Sequence, residues 1–476
     1  MKFLLIRPAA RLKDKPIISF PMTHPPLSLL YLGAVLEKEG YKVEILDYLV
    51  KDISFDKLKN SLNSSDAVGI TFIDNFQLVN DISKKIRKIT PEIPIIIGGS
   101  YCSFLPKQSL INIPNADISV IGEGEQVILD IANYLNGEKK LSDINGIYYR
   151  KKSLIKQGKP PKIIKDLNSL PFPARHLVEK YEYGISPWYY KIMNNVTALI
   201  SSRGCPFSCS FCSKYSNVIE DWRFRVRSAE NVINELREIN KKYDSVVIVD
   251  DNFLADKKRA NKIFDMILDS NIDMEFFIEG ARVDTADKNL YKKMKKAGVK
   301  TILYGLESGN QNILNFYNKN INLNQIKKAI KLARKMNFFV YTSFILGAPI
   351  ETKKQIENTI KFACSLPIDL ANFGVLTYLT GSSLWMEAVK NKKISPNEYA
   401  VIAEKDNTLG KFTKKELIDF TIDAYKAFYF RPIYIFKQIY RSLLRNDIRL
   451  LLNGLKYLTI INKWGKTPIK KSNPDG

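Results

Sequence analysis

The sequence has little histidine and cysteine and no long apolar run. Its 476 residues include two histidines and five cysteines, and no apolar stretch reaches the roughly 18 residues that a membrane-spanning helix needs. The apolar segment near residue 1 is too short for a secretory signal peptide. So few cysteines, three of them close together, argue against the disulfide framework of a small secreted domain. We therefore expect a cytoplasmic protein.

Acidic side chains are also scarce relative to basic ones. The chain has 49 acidic and 73 basic side chains, a formal net charge of +24. Such an excess indicates an anionic partner, which could be a nucleic acid, a membrane surface or an acidic cofactor, or else a lysine-rich solvated surface. Hydrophobic residues make up 45% of the chain, as in ordinary soluble proteins, and the length allows two or three domains.

Three of the five cysteines, Cys205, Cys209 and Cys212, lie within eight residues. A structural zinc ion usually takes four ligands as two separated pairs, and neither the other cysteines nor the histidines come with a partner that completes a pair. An iron–sulfur cubane usually takes four thiolates. With three, one iron keeps an open position for a substrate or cofactor. The pattern favours such a cluster over a zinc site or inert thiols.

Residues 1–136 alternate short apolar runs with amphipathic segments. This pattern predicts five buried parallel strands with helices between them, and therefore an α/β, doubly wound, Rossmann-like sheet. Ligands of such sheets bind at the carboxyl ends of the strands. The candidate ligand contacts are the residues that follow each apolar run: Pro8, Ala9, Thr71, Gly98, Gly99, Ser100, Tyr101, Gly122, Glu123 and Gly124.

Residues 137–196 read as a linker that contains a hairpin near Lys151 and a proline-set connector at 170–175. From 197 to 385, six strand–helix units predict a partial (β/α)6 barrel of the TIM type, with its site at the carboxyl ends of the strands. Polar or glycine residues recur at those ends, although each alone could be a helix cap or a solvated charge. They are Asp250, Asp251, Arg282, Glu307 and Gly347.

Residues 386–476 predict a basic helical region. Within 424–464, Lys437, Arg441, Arg445 and Arg449 recur every four residues beside aliphatic side chains. Such an amphipathic helix either caps the barrel or lies on an anionic membrane surface.

The cysteine loop, SSRGCPFSCSFC at 201–212, resembles the signature of the radical S-adenosylmethionine (SAM) enzymes, and its flanks are similar to the branch in which a cobalamin-binding domain precedes the radical domain. The resemblance implies that the three cysteines hold a [4Fe-4S] cluster whose open iron is chelated by SAM, and that Phe211 lies near the adenine. VDDNF, ARVD, YGLESG and FILGAPIET at 249–352 resemble the elements that hold SAM. They imply that Asp251 faces the methionine amino group, Glu307 the ribose and Gly347 the adenine, with Asp250 and Arg282 nearby.

The segments 25–47, 95–106 and 120–126 resemble the cobalamin-binding domain of the same branch, which implies that the glycine-rich strand ends of the first domain contact the corrin. The Asp-x-His-x-x-Gly motif that supplies a lower cobalt ligand in other cobalamin proteins is absent, because the loop from Pro8 to Lys15 has no histidine. Tyr101 stands where relatives often have histidine. His24 is the only imidazole nearby, and we interpret it as a helix-entry or surface residue.

The resemblance implies a class B radical SAM methyltransferase, in which a 5′-deoxyadenosyl radical removes hydrogen from an unactivated carbon and methylcobalamin delivers a methyl group. The alternatives are a radical cyclase or carbon–carbon bond-forming enzyme of the same branch, an RNA-modifying methylthiotransferase, and a non-enzymatic cobalamin carrier. The expected partners are a small-molecule or lipid substrate, an electron donor such as flavodoxin or ferredoxin, and a membrane surface in peripheral contact with 424–464. A nucleic acid is not expected.

Overall fold

The computed structural model describes residues 1–9, 23–73, 75–184, 193–444, 452, 458–459 and 461–462. Within these residues, two large β-sheets with packed helices are followed by a helical region. The predicted fold class is confirmed: a doubly wound first sheet, a partial (β/α)6 barrel and C-terminal helices.

The first sheet has seven strands. They are β1 (Lys2–Arg7), β2 (Lys42–Asp47), β3 (Ala67–Thr71), β4 (Ile95–Gly98), β5 (Ile118–Val120), β6 (Ile147–Lys151) and β7 (Leu154–Gln157). Their spatial order is β2-β1-β3-β4-β5-β6-β7, in which β1 to β5 are parallel and β6 and β7 form an antiparallel hairpin at one edge. Because this hairpin pairs with β5, the sheet runs past residue 136 into the segment predicted as a linker.

Both faces of this sheet are buried. Leu4 and Ile6 of β1 belong to one apolar cluster, and Phe3 belongs to another on the opposite face, as the two-residue period of a strand requires. The helices of this part are α1 (Leu27–Lys38), α2 (Phe55–Asn63), α3 (Phe76–Ile89), α4 (Ser100–Phe104), α5 (Pro106–Asn112) and α6 (Gly124–Leu135). The continuous apolar runs of the parallel strands are explained by this double burial.

The second sheet has six parallel strands that lie side by side in chain order, with its first and last strands as open edges. They are β8 (Val196–Leu199), β11 (Ser245–Ile248), β12 (Glu275–Ala281), β13 (Val299–Glu307), β14 (Phe339–Leu346) and β15 (Leu370–Val375). Two short antiparallel pairs accompany them: β9 (Ser202–Arg203) with β10 (Arg225–Val226), and β16 (Thr377–Leu379) with β17 (Ala400–Ile402).

The helices of the second part begin where the sequence places side-chain caps. Ser228, Asp256, Asn322 and Thr352 each accept a hydrogen bond from the backbone N–H three residues on, which satisfies a donor that the first helical turn leaves unpaired. The helices are α7 (Ala229–Asn240), α8 (Lys257–Leu268), α9 (Lys288–Lys296), α10 (Gln311–Phe316), α11 (Leu323–Lys335), α12 (Lys353–Ser365), α13 (Ser383–Lys390), α14 (Lys414–Tyr429) and α15 (Pro432–Leu444).

One apolar cluster joins the two sheets. Leu30 and Tyr31 of α1 belong to the same buried cluster as Val247, Phe277 and Tyr341 of the second sheet. The two parts of the chain therefore share a hydrophobic core.

The C-terminal helices partly cap the second sheet. Tyr429 of α14 donates to the Ala371 carbonyl of the edge strand β15 at 2.8 Å, and Arg441 of α15 bonds the buried carboxylate of Asp369 at 2.5 Å. Thus α15 turns one of its basic residues toward the second sheet. Arg445 and Arg449 lie outside the described residues. Among the described residues, every helix is too short or too polar to span a lipid bilayer.

Candidate functional site

The cysteine loop is held by a turn that follows α10. The Ser210 N–H donates to the Tyr317 carbonyl at 2.9 Å, and its hydroxyl donates to the Phe316 carbonyl at 3.0 Å. The Asn318 side-chain amide donates to the Ser208 carbonyl at 2.8 Å. The loop starts at Gly204, whose φ of +82° favours glycine. The protein itself therefore fixes the loop conformation.

The thiols of this loop suit an iron–sulfur cluster. Cys212 is partly exposed to solvent but has many protein atoms around it, and this desolvation, followed by Asp251 and the other two thiols, raises its pKa to about 12. Bound iron would stabilise the thiolate form. The described residues contain no group of three or more His, Cys, Asp or Glu side chains around a single-ion site. An iron–sulfur cubane does not need several side chains around one ion, because each thiolate binds a different iron.

Arg282 lies against this loop. Its guanidinium donates to Cys209 Sγ at 3.7 Å and to the Lys319 carbonyl at 2.6 Å, and it stacks 3.9 Å from the centroid of the Phe207 ring. In iron–sulfur proteins, N–H groups commonly donate hydrogen bonds to the sulfurs that ligate the cluster. The structure thus places Arg282, predicted as a SAM contact, beside Cys209 of the cysteine loop.

The two aspartates after β11 differ in environment. Asp250 is buried and accepts hydrogen bonds of 2.6 Å from the Ser201 N–H and from the Ser201 and Ser202 hydroxyls. Asp251 instead lines a cavity, and burial together with the neighbouring Asp250 raises its pKa. A cationic ligand in the cavity would offset that cost. Asp250 links the chain after β11 to the chain after β8 by hydrogen bonds, while Asp251 is available to a ligand.

Glu307 ends β13 in a left-handed backbone conformation, with φ of +65°, which costs free energy in a non-glycine residue. Its Oε1 accepts a hydrogen bond of 2.7 Å from Nζ of Lys319, and both side chains are buried. Gly305 makes room for the pair, because a Cβ there would lie 2.3 Å from that oxygen and 3.0 Å from that nitrogen. Lys319 was not predicted from the sequence as a site residue.

Gly347 and Glu351 form the turn after β14. Glu351 accepts hydrogen bonds from the N–H groups of Gly347 at 2.7 Å and Ala348 at 3.2 Å, and burial raises its pKa to about 7. A Cβ at Gly347 would lie 2.5 Å from Cδ2 of Leu417 in α14. In this structure Gly347 therefore makes room for a helix.

Phe211, on the cysteine loop, contacts Tyr317 edge-on at 5.1 Å between ring centroids.

A cavity of about 440 Å³ lies between the two sheets. Of the ten residues predicted at the strand ends of the first sheet, seven line it: Thr71, Gly98, Gly99, Ser100, Gly122, Glu123 and Gly124. Pro8, Ala9 and Tyr101 are not among its lining residues. Tyr101 packs on the Phe72 ring, with centroids 5.2 Å apart, and accepts a hydrogen bond from Asn112.

The opposite wall of the cavity comes from the second part of the chain. It includes Gly204 and Asp251 beside the cysteine loop, and also Arg203, Tyr215 and Trp222. The rings of Tyr215 and Trp222 contact one another in a tilted arrangement, with centroids 4.7 Å apart and 38° between their planes. The sequence did not predict these last three residues as ligand contacts. Their position next to the cysteine motif was the only signal for them. One cavity thus extends from the glycine turns of the first sheet to the cysteine loop.

Buried ion pairs join the same two walls. Glu123 accepts hydrogen bonds from Arg203 at 2.7 Å, from Arg225 at 2.8 Å and from the Ile164 N–H at 2.6 Å. Arg203 also bonds Glu125. Burial would raise the pKa of Glu123, but the two arginines bring it below its ordinary value. Glu123 therefore lines the cavity, but its carboxylate oxygens are hydrogen-bonded to arginines. We call Glu123, Glu125, Arg203 and Arg225 the interdomain ion network.

Comparison with known families decides the identity. Residues 199–363 match the radical SAM superfamily, and residues 15–132 match the B12 binding domain. An uncharacterized methyltransferase of Pyrococcus horikoshii, PH0819, is 31% identical over 95% of this chain and 98% of its own. The chain belongs to the radical SAM enzymes that carry a B12-binding domain. The cofactors of this radical SAM enzyme are a [4Fe-4S] cluster, SAM and cobalamin, as the sequence predicted.

Other relatives of this radical SAM enzyme differ in their named reactions. Cytidylyl-2-hydroxyethylphosphonate methyltransferase of Streptomyces wedmorensis is 28% identical over 83% of each chain. Anaerobic magnesium-protoporphyrin IX monomethyl ester cyclase of Rubrivivax gelatinosus is 27% identical over 86% of this chain and 75% of its own.

Solved structures support the fold of the radical SAM enzyme. The cobalamin-dependent SAM radical enzyme OxsB with aqua-cobalamin and SAM bound has a TM-score of 0.69 at 19% identity, over 96% of this chain and 72% of OxsB. In the OxsB structure with aqua-cobalamin alone, the match covers 66% of the OxsB chain. The methyltransferase TsrM of Kitasatospora setae with tryptophan and a SAM analog has a TM-score of 0.69 at 15% identity, over 91% and 90% of the two chains.

Proposed function

We propose that this radical SAM enzyme transfers a methyl group to an unactivated carbon of a small molecule or a lipid. The observation that carries the proposal is the single cavity between the two sheets, lined by glycine turns of the first sheet on one side and by Gly204 and Asp251 on the other. Two cofactors that act on one substrate must reach it from a common space. Relatives named as methyltransferases support this reaction.

In this proposal, Cys205, Cys209 and Cys212 hold the cluster, and Phe211, Asp251 and Glu307 contact SAM. The corrin lies against the turns that contain Gly98, Gly99, Gly122 and Gly124. When bound, the three cofactors supply a carbon-centred radical that removes hydrogen from the substrate and a methyl group that replaces it.

The chain's own residues place these groups and exclude water. Asp251, accessible in the cavity and close to a second carboxylate, suits the ammonium group of the SAM methionine. Apolar side chains, among them Ile70, Phe72 and Ile97, cover much of the cavity wall, which keeps water away from a reactive intermediate. Asp250 and Arg282 orient the neighbouring loops.

We propose the division 1–136, 137–196, 197–385 and 386–476 as functional units. The hairpin β6–β7 within 137–196 continues the first sheet, so a fragment intended to contain the whole first sheet should extend through Gln157.

The test is anaerobic reconstitution of the full chain with iron, sulfide and cobalamin, followed by addition of SAM and either dithionite or reduced flavodoxin. We expect both 5′-deoxyadenosine and S-adenosylhomocysteine, because methyl transfer through cobalt consumes SAM in two ways. The Cys209→Ala variant is the control and should form no deoxyadenosine. Formation of neither product by the wild-type protein would contradict the proposal.

A second candidate function is a cyclisation without methyl transfer. The relative named as a cyclase, which matches 86% of this chain, favours it. The same reconstitution separates the two reactions, because a cyclase forms deoxyadenosine without S-adenosylhomocysteine.

We further propose that α15 contacts an anionic lipid surface. Its exposed large side chains, Ile433, Phe436, Tyr440 and Leu443, are 57–72% exposed and recur at helical spacing. Lys437 lies exposed among them, and residues 424–476 have eleven basic against two acidic side chains. An apolar stripe beside basic residues is typical of a helix at a membrane interface.

Vesicle sedimentation at low salt tests this contact. The wild-type protein should sediment with anionic vesicles and much less with neutral ones, because each basic residue near the surface contributes about 1 kcal/mol. Replacing Phe436 and Leu443 by Ser should abolish sedimentation, whereas Phe55→Ser, an exposed phenylalanine on α2, should not. Lys437→Gln should weaken it. A wild-type protein that ignores anionic vesicles would rule out the membrane contact.

A further inference from the structure

Lys319 is a buried cation in the turn that follows α10. Its side chain is 8% exposed, and burying an ammonium group is costly unless a negative group compensates it. Nζ donates to Glu307 Oε1 at 2.7 Å and lies 5.8 Å from the centroid of the Phe211 ring. The lysine thus stands between a strand-end carboxylate and the aromatic residue of the cysteine loop.

The backbone segment that contains Lys319 also forms hydrogen bonds with the cysteine loop. Tyr317 and Asn318, the two preceding residues, bond Ser210 and Ser208. Arg282 donates to the Lys319 carbonyl and to Cys209 Sγ. A displacement of the cysteine loop would therefore be transmitted directly to Lys319.

Glu307 needs an external contact to keep its conformation. Its backbone has a φ of +65°, and the nearby Gly305 leaves room for its carboxylate. Lys319 bonds one carboxylate oxygen, Oε1, which leaves the other oxygen, Oε2, to accept from a hydroxyl donor. A strained residue held by a salt bridge is typical of a preorganised ligand contact.

We propose that Lys319 is a positioning residue of the SAM site, which fixes the Glu307 carboxylate for the sugar hydroxyls of SAM and ties it to the cysteine loop. The inference rests on the proposed function in one respect, the placement of the SAM sugar beside Glu307. Lys319 acts through Glu307 and need not touch SAM itself.

The test is a double-mutant cycle on SAM affinity. The variants Lys319→Met, Glu307→Gln and the double variant are reconstituted with cluster and cobalamin, and the Kd for SAM is measured by equilibrium dialysis without reductant. Iron and sulfide content verify the cluster. We expect Lys319→Met to raise the Kd about tenfold or more, as losses of such supporting contacts do, and to raise it less than twofold when Glu307 is already Gln. Lys327→Met, on the exposed face of α11, is the matched control and should bind SAM like wild type.

The results distinguish the role of Lys319 from the placement of the SAM sugar beside Glu307. An unchanged Kd in Lys319→Met, or an equal loss in both backgrounds, would overturn the role of Lys319 as a positioning residue. An unchanged Kd in a Glu307→Ala variant, which removes both acceptor oxygens, would instead refute the placement of the SAM sugar. If Lys319→Met fails to hold a cluster, Gly305→Ala tests the same contact, because its Cβ would displace the Glu307–Lys319 pair; wild-type affinity in that variant would also overturn the proposal.

Discussion

Alanine in place of Cys205, Cys209 or Cys212 is expected to reduce the iron content to background and to abolish deoxyadenosine formation. Each thiolate binds one iron of the cubane, and a cluster with two protein ligands is not held against loss. Iron and sulfide analysis after anaerobic reconstitution measures the first effect, and chromatography of the SAM cleavage products measures the second. The effect on activity should be complete, because the cluster supplies the electron that cleaves SAM.

The other two cysteines provide the matched controls. Cys102 is fully buried in an apolar cluster of the first sheet, where burial raises its pKa to about 12. Cys364 lies on α12 and its thiol contacts the Ala427 carbonyl. Neither belongs to the cysteine loop, so Cys102→Ala and Cys364→Ala should keep the full cluster. A full cluster in Cys205→Ala would refute the ligand assignment.

The second large effect is expected from Glu123→Ala in the interdomain ion network. Arg225 would lose its only carboxylate in the described structure, and Arg203 would keep only Glu125. Leaving a buried charge without its partner costs about 3–5 kcal/mol. The free energy of unfolding should fall by that amount, as measured by denaturant titration. Cobalamin binding should weaken as well, because the same turn lines the cavity.

The loss of stability in Glu123→Ala should depend on pH. The two arginines hold the pKa of Glu123 below its ordinary value of 4.5. The stabilisation is therefore complete above the ordinary pKa and is lost as the pH falls through the lower value in the folded protein. The difference between wild type and Glu123→Ala should shrink in acid. Glu230→Ala, an exposed residue of α7, is the control. Equal stability of Glu123→Ala and wild type at neutral pH would contradict the network.

Much of the fold could be predicted from the sequence because local signals define it. The first apolar run of the chain forms β1, Lys2–Arg7, since a strand covered on both faces is apolar throughout. The helices α7, α8, α11 and α12 begin directly after the capping residues Ser228, Asp256, Asn322 and Thr352, which are local signals in the sequence. The cysteine loop was identifiable because its ligands lie on one short segment.

Contacts between distant segments could not be predicted in this way. Lys319 is one of 73 basic residues, and nothing in its local sequence distinguishes a buried ammonium from a solvated one. Its role depends on Glu307, which the fold brings beside it. The orientation of α15 has the same origin, since Arg441 turns inward to bond Asp369, 72 residues earlier in the chain.

The cluster of apolar residues that joins α1 to the second sheet limits how the enzyme can move. Leu30 and Tyr31 contribute to the core of both parts of the chain, and separating the parts would expose apolar surface at a cost of roughly 25 cal/mol per Å². A large hinge opening between the two sheets would expose these apolar side chains to water. The shared cluster therefore favours one relative arrangement of the cobalamin-binding part and the radical part.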